Sequence, residues 1–204
     1  MTFYPSRISP YAKRAFDVLI TLAAAPFVVL VLAACCVAVR LDSPGPIIFR
    51  QERTGRDGRR FGMYKFRTMV RNAEELKASL AHLNVLPPPD FKIPNDPRIT
   101  RVGRFLRSSS LDELPQLWNV LVGDMSLVGP RPTSFAPRTY DLWHTERLEV
   151  RPGITGLWQV RERHAVTFDE RLRLDLEYIR GWSFALDLKI LWWTVAAVLR
   201  RSGA

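Results

Sequence analysis

Residues 18–39 read VLITLAAAPFVVLVLAACCVAV, twenty-two positions without a charged side chain. That exceeds the roughly 18 apolar residues that mark a bilayer-length stretch, so membrane contact is the first property the sequence declares. Pro26 interrupts the run near its middle, where a missing N–H and a ring clash break or kink a helix. Basic residues flank both ends, Lys13 and Arg14 before it and Arg40 and Arg50 after it. Both flanks therefore have cytosolic character. Two forms stay open: a spanning helix, or one broken at Ala25-Pro26 that enters and leaves through the same face. The run continues into Arg40-Leu41-Asp42-Ser43-Pro44-Gly45-Pro46 rather than a small-residue cleavage site, which argues against a cleaved secretory signal. The two cysteines, Cys35 and Cys36, are adjacent inside it, so neither a disulfide scaffold nor a zinc site of CxxC spacing is available.

Outward from this run, 204 residues that are 47% hydrophobic and 25% charged suit one domain with its own core rather than a disordered chain. An excess of 30 Lys and Arg over 20 Asp and Glu gives +10, which calls for an anionic partner: nucleic acid, a lipid surface or a phosphorylated substrate. The excess is concentrated. Residues 40–72 carry nine basic and three acidic side chains and residues 92–110 five and one, so these two stretches account for all of it. Residues 47–67 predict a β-hairpin turning at Arg56-Asp57-Gly58, with Met63, Lys65 and Arg67 on one face of its second strand. Asn72 to Ala81 predicts a helix, and Leu86-Pro87-Pro88-Pro89 with Pro94 and Pro97 predicts a long loop, either a lid or a surface excursion.

The chemically dense segment is Leu111-Asp112-Glu113-Leu114-Pro115-Gln116-Leu117-Trp118-Asn119-Val120-Leu121. Leu114, Leu117, Trp118 and Leu121 keep helical spacing, and Pro115 is tolerated only in a first turn, so a helix is expected to start near Asp112 and to end at Gly123. Asp112 and Glu113 then lie at a helix N-terminus, where acids commonly do no more than cap. Adjacent helical carboxylates also diverge by about 100°, so one could engage phosphorus and the other a divalent cation. Lys65, Arg67, Arg104, Arg107 and Arg131 are the cations for such a centre, Arg131 within the rigid Gly129-Pro130-Arg131-Pro132 turn. P-loop, dinucleotide and H-E-x-x-H motifs are absent from the sequence. Thr167-Phe168-Asp169-Glu170 has capping-box form and opens a helix with the stripe Phe168, Leu172, Leu176 and Ile179. Asp175 falls among these apolar residues and needs a cation, most simply Arg107 or Arg131. A last helix, Phe184 to Leu199, either lies at a membrane interface or is buried.

The order of Ser43-Pro44-Gly45-Pro46, Lys65-Phe66-Arg67-Thr68-Met69, Asp96-Pro97-Arg98-Ile99-Thr100-Arg101-Val102-Gly103, Leu111 to Leu117, Gly123 to Pro132 and Arg151-Pro152-Gly153-Ile154-Thr155-Gly156 resembles the bacterial sugar transferases, the monotopic phosphoglycosyl transferases. It covers nearly the whole chain. The resemblance implies a mixed, helix-rich α/β fold. A single membrane-anchored domain would occupy residues 1–204: a Pro-broken re-entrant helix at 15–39, then a cytosolic catalytic part at 40–204 with a β-hairpin and amphipathic interfacial helices. It implies transfer of a sugar 1-phosphate from a UDP-sugar to a polyprenyl phosphate, undecaprenyl phosphate by expectation, with release of UMP and with Mg²⁺. The setting would be the cytosolic face of the bacterial cytoplasmic membrane. Asp112 matches the nucleophile and Glu113 its neighbour at the Mg²⁺ site, with Asp112 beside it as a metal ligand. Lys65, Arg67, Arg107 and Asp175 are carried over as substrate-binding residues, and Pro130, Arg131 and Pro132 as the nucleotide-contacting turn. Partners beyond these substrates and the bilayer are not implied: no nucleic acid is expected, and a homodimer is left open. No multi-helix extension precedes the catalytic part, so the small form of the family is expected. Two departures stand out. Ala25 replaces a frequent Ser, so groups freed by Pro26 would need another partner, with Thr21 in reach one turn earlier. Arg161-Glu162-Arg163-His164 replaces the usual Gly-Arg. The rival reading is a membrane-tethered basic module that binds nucleic acid or anionic lipid.

Overall fold

A computed structural model describes residues 9–85, 91, 93–134, 142–161 and 167–199. Much of the proline-rich loop and residues 162–166 therefore lie outside the described residues. The first element is helix α1, Pro10–Asp42, with Ser9 as its N-cap, Pro10 in its first turn and Arg40 in its last. The expected break at Ala25-Pro26 is not an interruption, because the helix runs on through Pro26. A proline removes one N–H from the ladder, and the long apolar runs on either side keep the remaining rungs. Nor does Thr21 serve the proline: its hydroxyl donates to the Asp17 carbonyl at 2.7 Å. At 33 residues α1 is about 50 Å long, and by length and composition it could cross a membrane.

The burial along α1 is uneven in a telling way. Leu22, Phe27, Val29 and Leu30 are each more than half exposed, whereas Lys13, Asp17 and Thr21 near one end and Cys35 and Val39 near the other are buried. Both ends pack on the same body. At the first end, Lys13 Nζ lies 2.8 Å from a carboxylate oxygen of Asp17 and 2.8 Å from one of Asp187. Asp17 also accepts from Ser126 Oγ at 2.7 Å, and Asp187 from Tyr178 at 2.8 Å. Arg14 donates to the carbonyls of Val120 and Leu121. At the far end, Cys35 and Val39 join Phe66 and Leu106 in a small core, and Asp42 accepts from the Val102 N–H at 3.2 Å.

The rest alternates short elements. Strands β1 (Ile48–Thr54) and β2 (Arg60–Phe66) form the expected antiparallel hairpin, in register from Ile48 opposite Phe66 to Thr54 opposite Arg60. Helix α2 (Glu75–Ser79) is shorter than expected and is followed by a 3-10 turn at Ala81–Leu83. Helices α3 (Arg101–Ser108) and α4 (Gln116–Val122) follow. Strands β3 (Ser126–Val128) and β4 (Gly153–Thr155) pair in parallel, bracketing the Pro130-Arg131-Pro132 turn and a 3-10 segment at Leu142–Glu149. Helices α5 (Leu157–Arg161), α6 (Phe168–Arg180) and α7 (Phe184–Leu199) close the chain. The capping box at Thr167 and Glu170 forms in both directions. The main core gathers Met63, Val120, Met125, Val128, Leu157, Leu176, Ile179 and Ile190. A helix-rich mixed α/β architecture is therefore confirmed. Helix α7 is neither wholly buried nor wholly exposed: Asp187 and Ile190 are buried, while Leu188, Trp192 and Val195 leave an apolar stripe exposed.

The Lys13 clamp generates a stability prediction. Lys13→Met strands two buried carboxylates without their cation and should cost about 3–5 kcal/mol, read as a lowered unfolding midpoint in detergent. Adding Asp17→Asn and Asp187→Asn should recover much of the loss. An unchanged midpoint for the single variant would mean that the clamp contributes nothing.

Candidate active site

Two residues beyond the end of helix α3 stands Ser110, whose φ of 57° is left-handed for a residue with a side chain, and a 3-10 turn at Leu111–Glu113 follows. The regular helix thus begins later than the spacing of its leucines suggests. Pro115 has no N–H to give the Leu111 carbonyl, and Leu114 N instead closes the tighter i−3 bond to Leu111 at 3.2 Å. Helix α4 then runs to Gly123, which ends it at φ 96°. Its Asn119, fully buried, accepts from Tyr64 N–H at 3.1 Å and donates to the Gly62 carbonyl at 2.8 Å. This carboxamide fastens α4 to the edge of β2 and so brings Lys65, the next residue on the strand, toward the 3-10 turn.

Glu113 is the meeting point. Its Oε1 accepts from Lys65 Nζ at 2.7 Å and from Arg131 Nη2 at 2.6 Å, while Oε2 has only a 3.4 Å contact with Arg131 Nη1. Burial alone would raise the Glu113 carboxyl, but the charges and hydrogen bonds of Arg131 and Lys65 outweigh it and hold the group well below the usual carboxylate range. Burial lowers the Lys65 ammonium in spite of Glu113. Asp112 is 9% exposed and accepts no hydrogen bond from the described residues. Burial pushes its carboxyl up, against the pull of Lys65, Arg107 and Arg131. Arg107 is anchored by its Nε to Thr68 Oγ1 at 2.9 Å.

The Arg131 turn is held from several sides. Gly153 N–H donates to the Pro130 carbonyl at 2.9 Å, Gly129 N–H to Thr155 at 2.9 Å, and Arg147 Nη2 to the Arg131 carbonyl at 2.6 Å. Pro130 and Pro132, on either side of Arg131 in the chain, are buried.

Two expectations need correction. Asp175 pairs with neither Arg107 nor Arg131: Arg147 Nη2 lies 2.7 Å from its Oδ2, because the α6 stripe faces the 142–149 segment. Arg67 does not join the Glu113 cluster. Its guanidinium donates to the Ser43 and Pro44 carbonyls at 2.7 Å each, capping the end of α1. Gly45, at φ 127°, lies beneath it, where a Cβ would come within 2.1 Å of the guanidinium. Arg104 lies on the exposed side of α3. Of the sequence candidates, then, Lys65, Glu113 and Arg131 are in contact, Asp112 and Arg107 stand beside them, and Asp175 lies behind the turn. Sequence reasoning missed Asn119 and Arg147. The signal for Arg147 was the cation that Asp175 demanded, but distance along the chain hid which one.

Among the described residues there is no group of three or more potential protein ligands for a metal. A hard divalent ion that takes one or two carboxylates and completes its shell with water and substrate phosphates still fits Asp112 and the open Oε2 of Glu113.

Asp175 generates a pH prediction. Burial pushes its carboxyl up to about 7, with Arg147 and Arg171 acting in the opposite sense. Since an unfolded aspartate titrates near 3.9, the folded chain holds more protons than the unfolded one from about pH 4 to about pH 7, and stability falls as pH rises through that window. Asp175→Asn removes this slope, so its unfolding midpoint should gain on that of the wild type from pH 4 to 7. Parallel curves would contradict the assignment.

The model of the family described as "Bacterial sugar transferase" matches residues 8–201. Galactosyl transferase CpsE of Streptococcus agalactiae is 48% identical over 168 residues, 81% of this chain and 37% of the relative. The UDP-galactose-lipid carrier transferase of Erwinia amylovora is 42% identical over 96% of this chain and 42% of its own length. The undecaprenyl-phosphate galactose phosphotransferase of Salmonella typhimurium is 45% identical over 97% of this chain and 42% of its own length. The chain thus spans about two-fifths of these relatives. With the match extending over nearly its whole length, the chain belongs to the bacterial sugar transferase family.

Proposed function

We propose that this chain transfers a sugar 1-phosphate from a UDP-sugar to a polyprenyl phosphate, with undecaprenyl phosphate as the natural acceptor, and releases UMP. The observation that carries the reading is the Asp112 carboxylate, largely buried and unbonded among the described residues, beside a Glu113 already neutralised by Lys65 and Arg131. A carboxylate so placed is free to react, and the cations around it suit a phosphoryl centre. The names of the relatives, which specify a UDP-sugar and undecaprenyl phosphate, agree with it.

The transfer takes two displacements. An Asp112 oxygen forms a bond to the β-phosphorus as the bond from that phosphorus to the bridging oxygen breaks, and the electron pair leaves with UMP. A phosphate oxygen of the polyprenyl phosphate then attacks the same phosphorus, the acyl-phosphate bond breaks, and Asp112 returns as a carboxylate. Burial favours this chemistry because it raises the basicity of Asp112 and excludes water from the acyl phosphate. Arg107 and Arg131 bind and orient the phosphoryl oxygens, and Lys65 keeps Glu113 in place. Mg²⁺ held by Asp112 and Glu113 would supply neutralisation of the phosphate oxygens.

The reading also places the catalytic part on the cytosolic face of the bacterial cytoplasmic membrane, with α1 entering and leaving through that face by bending at Pro26 while remaining helical on both sides of it. Support comes from the two buried ends of α1, which share one body while the apolar middle is exposed.

The purified chain with Mg²⁺, a panel of UDP-sugars and undecaprenyl phosphate should release UMP, and Asp112→Asn should lose at least about 10³-fold of that rate, as removal of a covalent nucleophile does. No release from any UDP-sugar, together with tight and salt-sensitive RNA or DNA binding, would favour the basic binding module instead. For topology, single cysteines at Tyr11 and Arg56 in a chain lacking Cys35 and Cys36 should label from the same cytosolic side. Labelling from opposite sides would mean a spanning helix.

A further inference from the structure

We propose that Arg147, which none of the motifs above contains, is a positioning residue of the transfer: a buried strut that fixes the backbone of Arg131 by tying it to Asp175 on α6. This inference rests on the transferase reading and adds a residue to it. The same nitrogen, Arg147 Nη2, donates to the Arg131 carbonyl at 2.6 Å and lies 2.7 Å from Asp175 Oδ2. Arg147 and Asp175 are 5% and 1% exposed, so neither can exchange its partner for water. The guanidinium also lies 5.6 Å from the centroid of the Phe168 ring, at the start of the same helix. From the Arg131 carbonyl the line of contact continues through its side chain to Glu113 Oε1 at 2.6 Å. A carboxylate on α6 is thereby joined to the carboxylate beside the proposed nucleophile.

A buried ion pair can serve stability or geometry. As a source of stability it is poor, since desolvation consumes most of its attraction and a well-packed apolar pair often does as well or better. An apolar pair cannot hold a backbone carbonyl, however. Nor does lysine replace the arrangement well, because its flexible ammonium lacks the planar guanidinium that lies against the Phe168 ring and so fixes where Nη2 sits between the Arg131 carbonyl and Asp175. Arg131 touches Glu113 at one end and hangs from a turn at the other, so a shift of its carbonyl moves the guanidinium that faces the reacting phosphate. Misplacement by about 1 Å can cost up to about 100-fold in rate.

The test compares the wild type with Arg147→Lys, with the apolar double variant Arg147→Met/Asp175→Leu, and with both changes placed in an Arg131→Met background. UMP release is measured per folded molecule, alongside unfolding midpoints. The double variant should unfold at or near the wild-type midpoint yet show kcat/KM for the UDP-sugar lowered about 10- to 100-fold. Arg147→Lys should share much of that loss. In the Arg131→Met background the same changes should cost little more, because the residue they act through is gone. Wild-type kcat and KM in a folded double variant would overturn the proposal and leave the transferase reading standing. So would defects that multiply with that of Arg131→Met. A double variant that fails to fold leaves Arg147→Lys to decide, and normal kinetics there overturns the proposal. Absence of UMP release from the wild type itself would overturn both.

Discussion

One carboxylate oxygen, Glu113 Oε1, joins three parts of the chain that are far apart in sequence. Lys65 reaches it from the end of β2 and Arg131 from the prolyl turn after β3. Glu113 itself stands in the 3-10 turn ahead of α4. Buried charges of this kind persist only when paired, so the arrangement obliges hairpin, turn and helix to approach together. It also leaves the adjacent Asp112 with no partner among the described residues, its carboxyl raised by burial in a field of cations. Structure and reactivity have one origin here: the cations that would otherwise repel one another are gathered by Glu113, and Asp112 sits where they converge.

Around that centre the chain uses its remaining charges to control the long helix. Lys13, Asp17 and Asp187 fasten the start of α1 to β3 and α7, and Arg67 with Asp42 fastens its end to β2 and α3. The apolar middle between these two attachments is left exposed. The far end of α1 is thus bound to the elements that carry Lys65 and Arg107, so the placement of α1 and that of the site are geometrically linked.

What the sequence disclosed was what local chemistry controls. The hairpin followed from its two strand-like runs and its Arg-Asp-Gly turn, α6 from the Thr167 capping box, and α7 from a largely apolar, tryptophan-containing segment. Pro26, read as a break, lies inside a continuous helix, because one missing hydrogen bond can bend a helix without ending it. Pro115 misled in the other direction, since leucine spacing hid the tighter turn it imposes. At the site, residue types were legible, but pairings were not. A cation was required for Asp175 and several arginines could have met the requirement; only the packing of α6 on residues 142–149 selects Arg147. Arg67 had the right charge on the right strand face, yet the carbonyls at the end of α1 take its hydrogen bonds. Long-range contacts of this sort leave no periodic trace in a single sequence.

The central claim is that Asp112 itself becomes phosphorylated by the sugar phosphate. Mass spectrometry of the chain after incubation with the accepted UDP-sugar and Mg²⁺, in the absence of any lipid acceptor, tests it most directly. The account predicts a gain of one sugar phosphate on the peptide that carries Asp112, discharged when polyprenyl phosphate is added and absent from Asp112→Asn. An unmodified peptide under conditions where the complete mixture turns over would contradict it, and would leave Asp112 as a ligand or a cap rather than the attacking group.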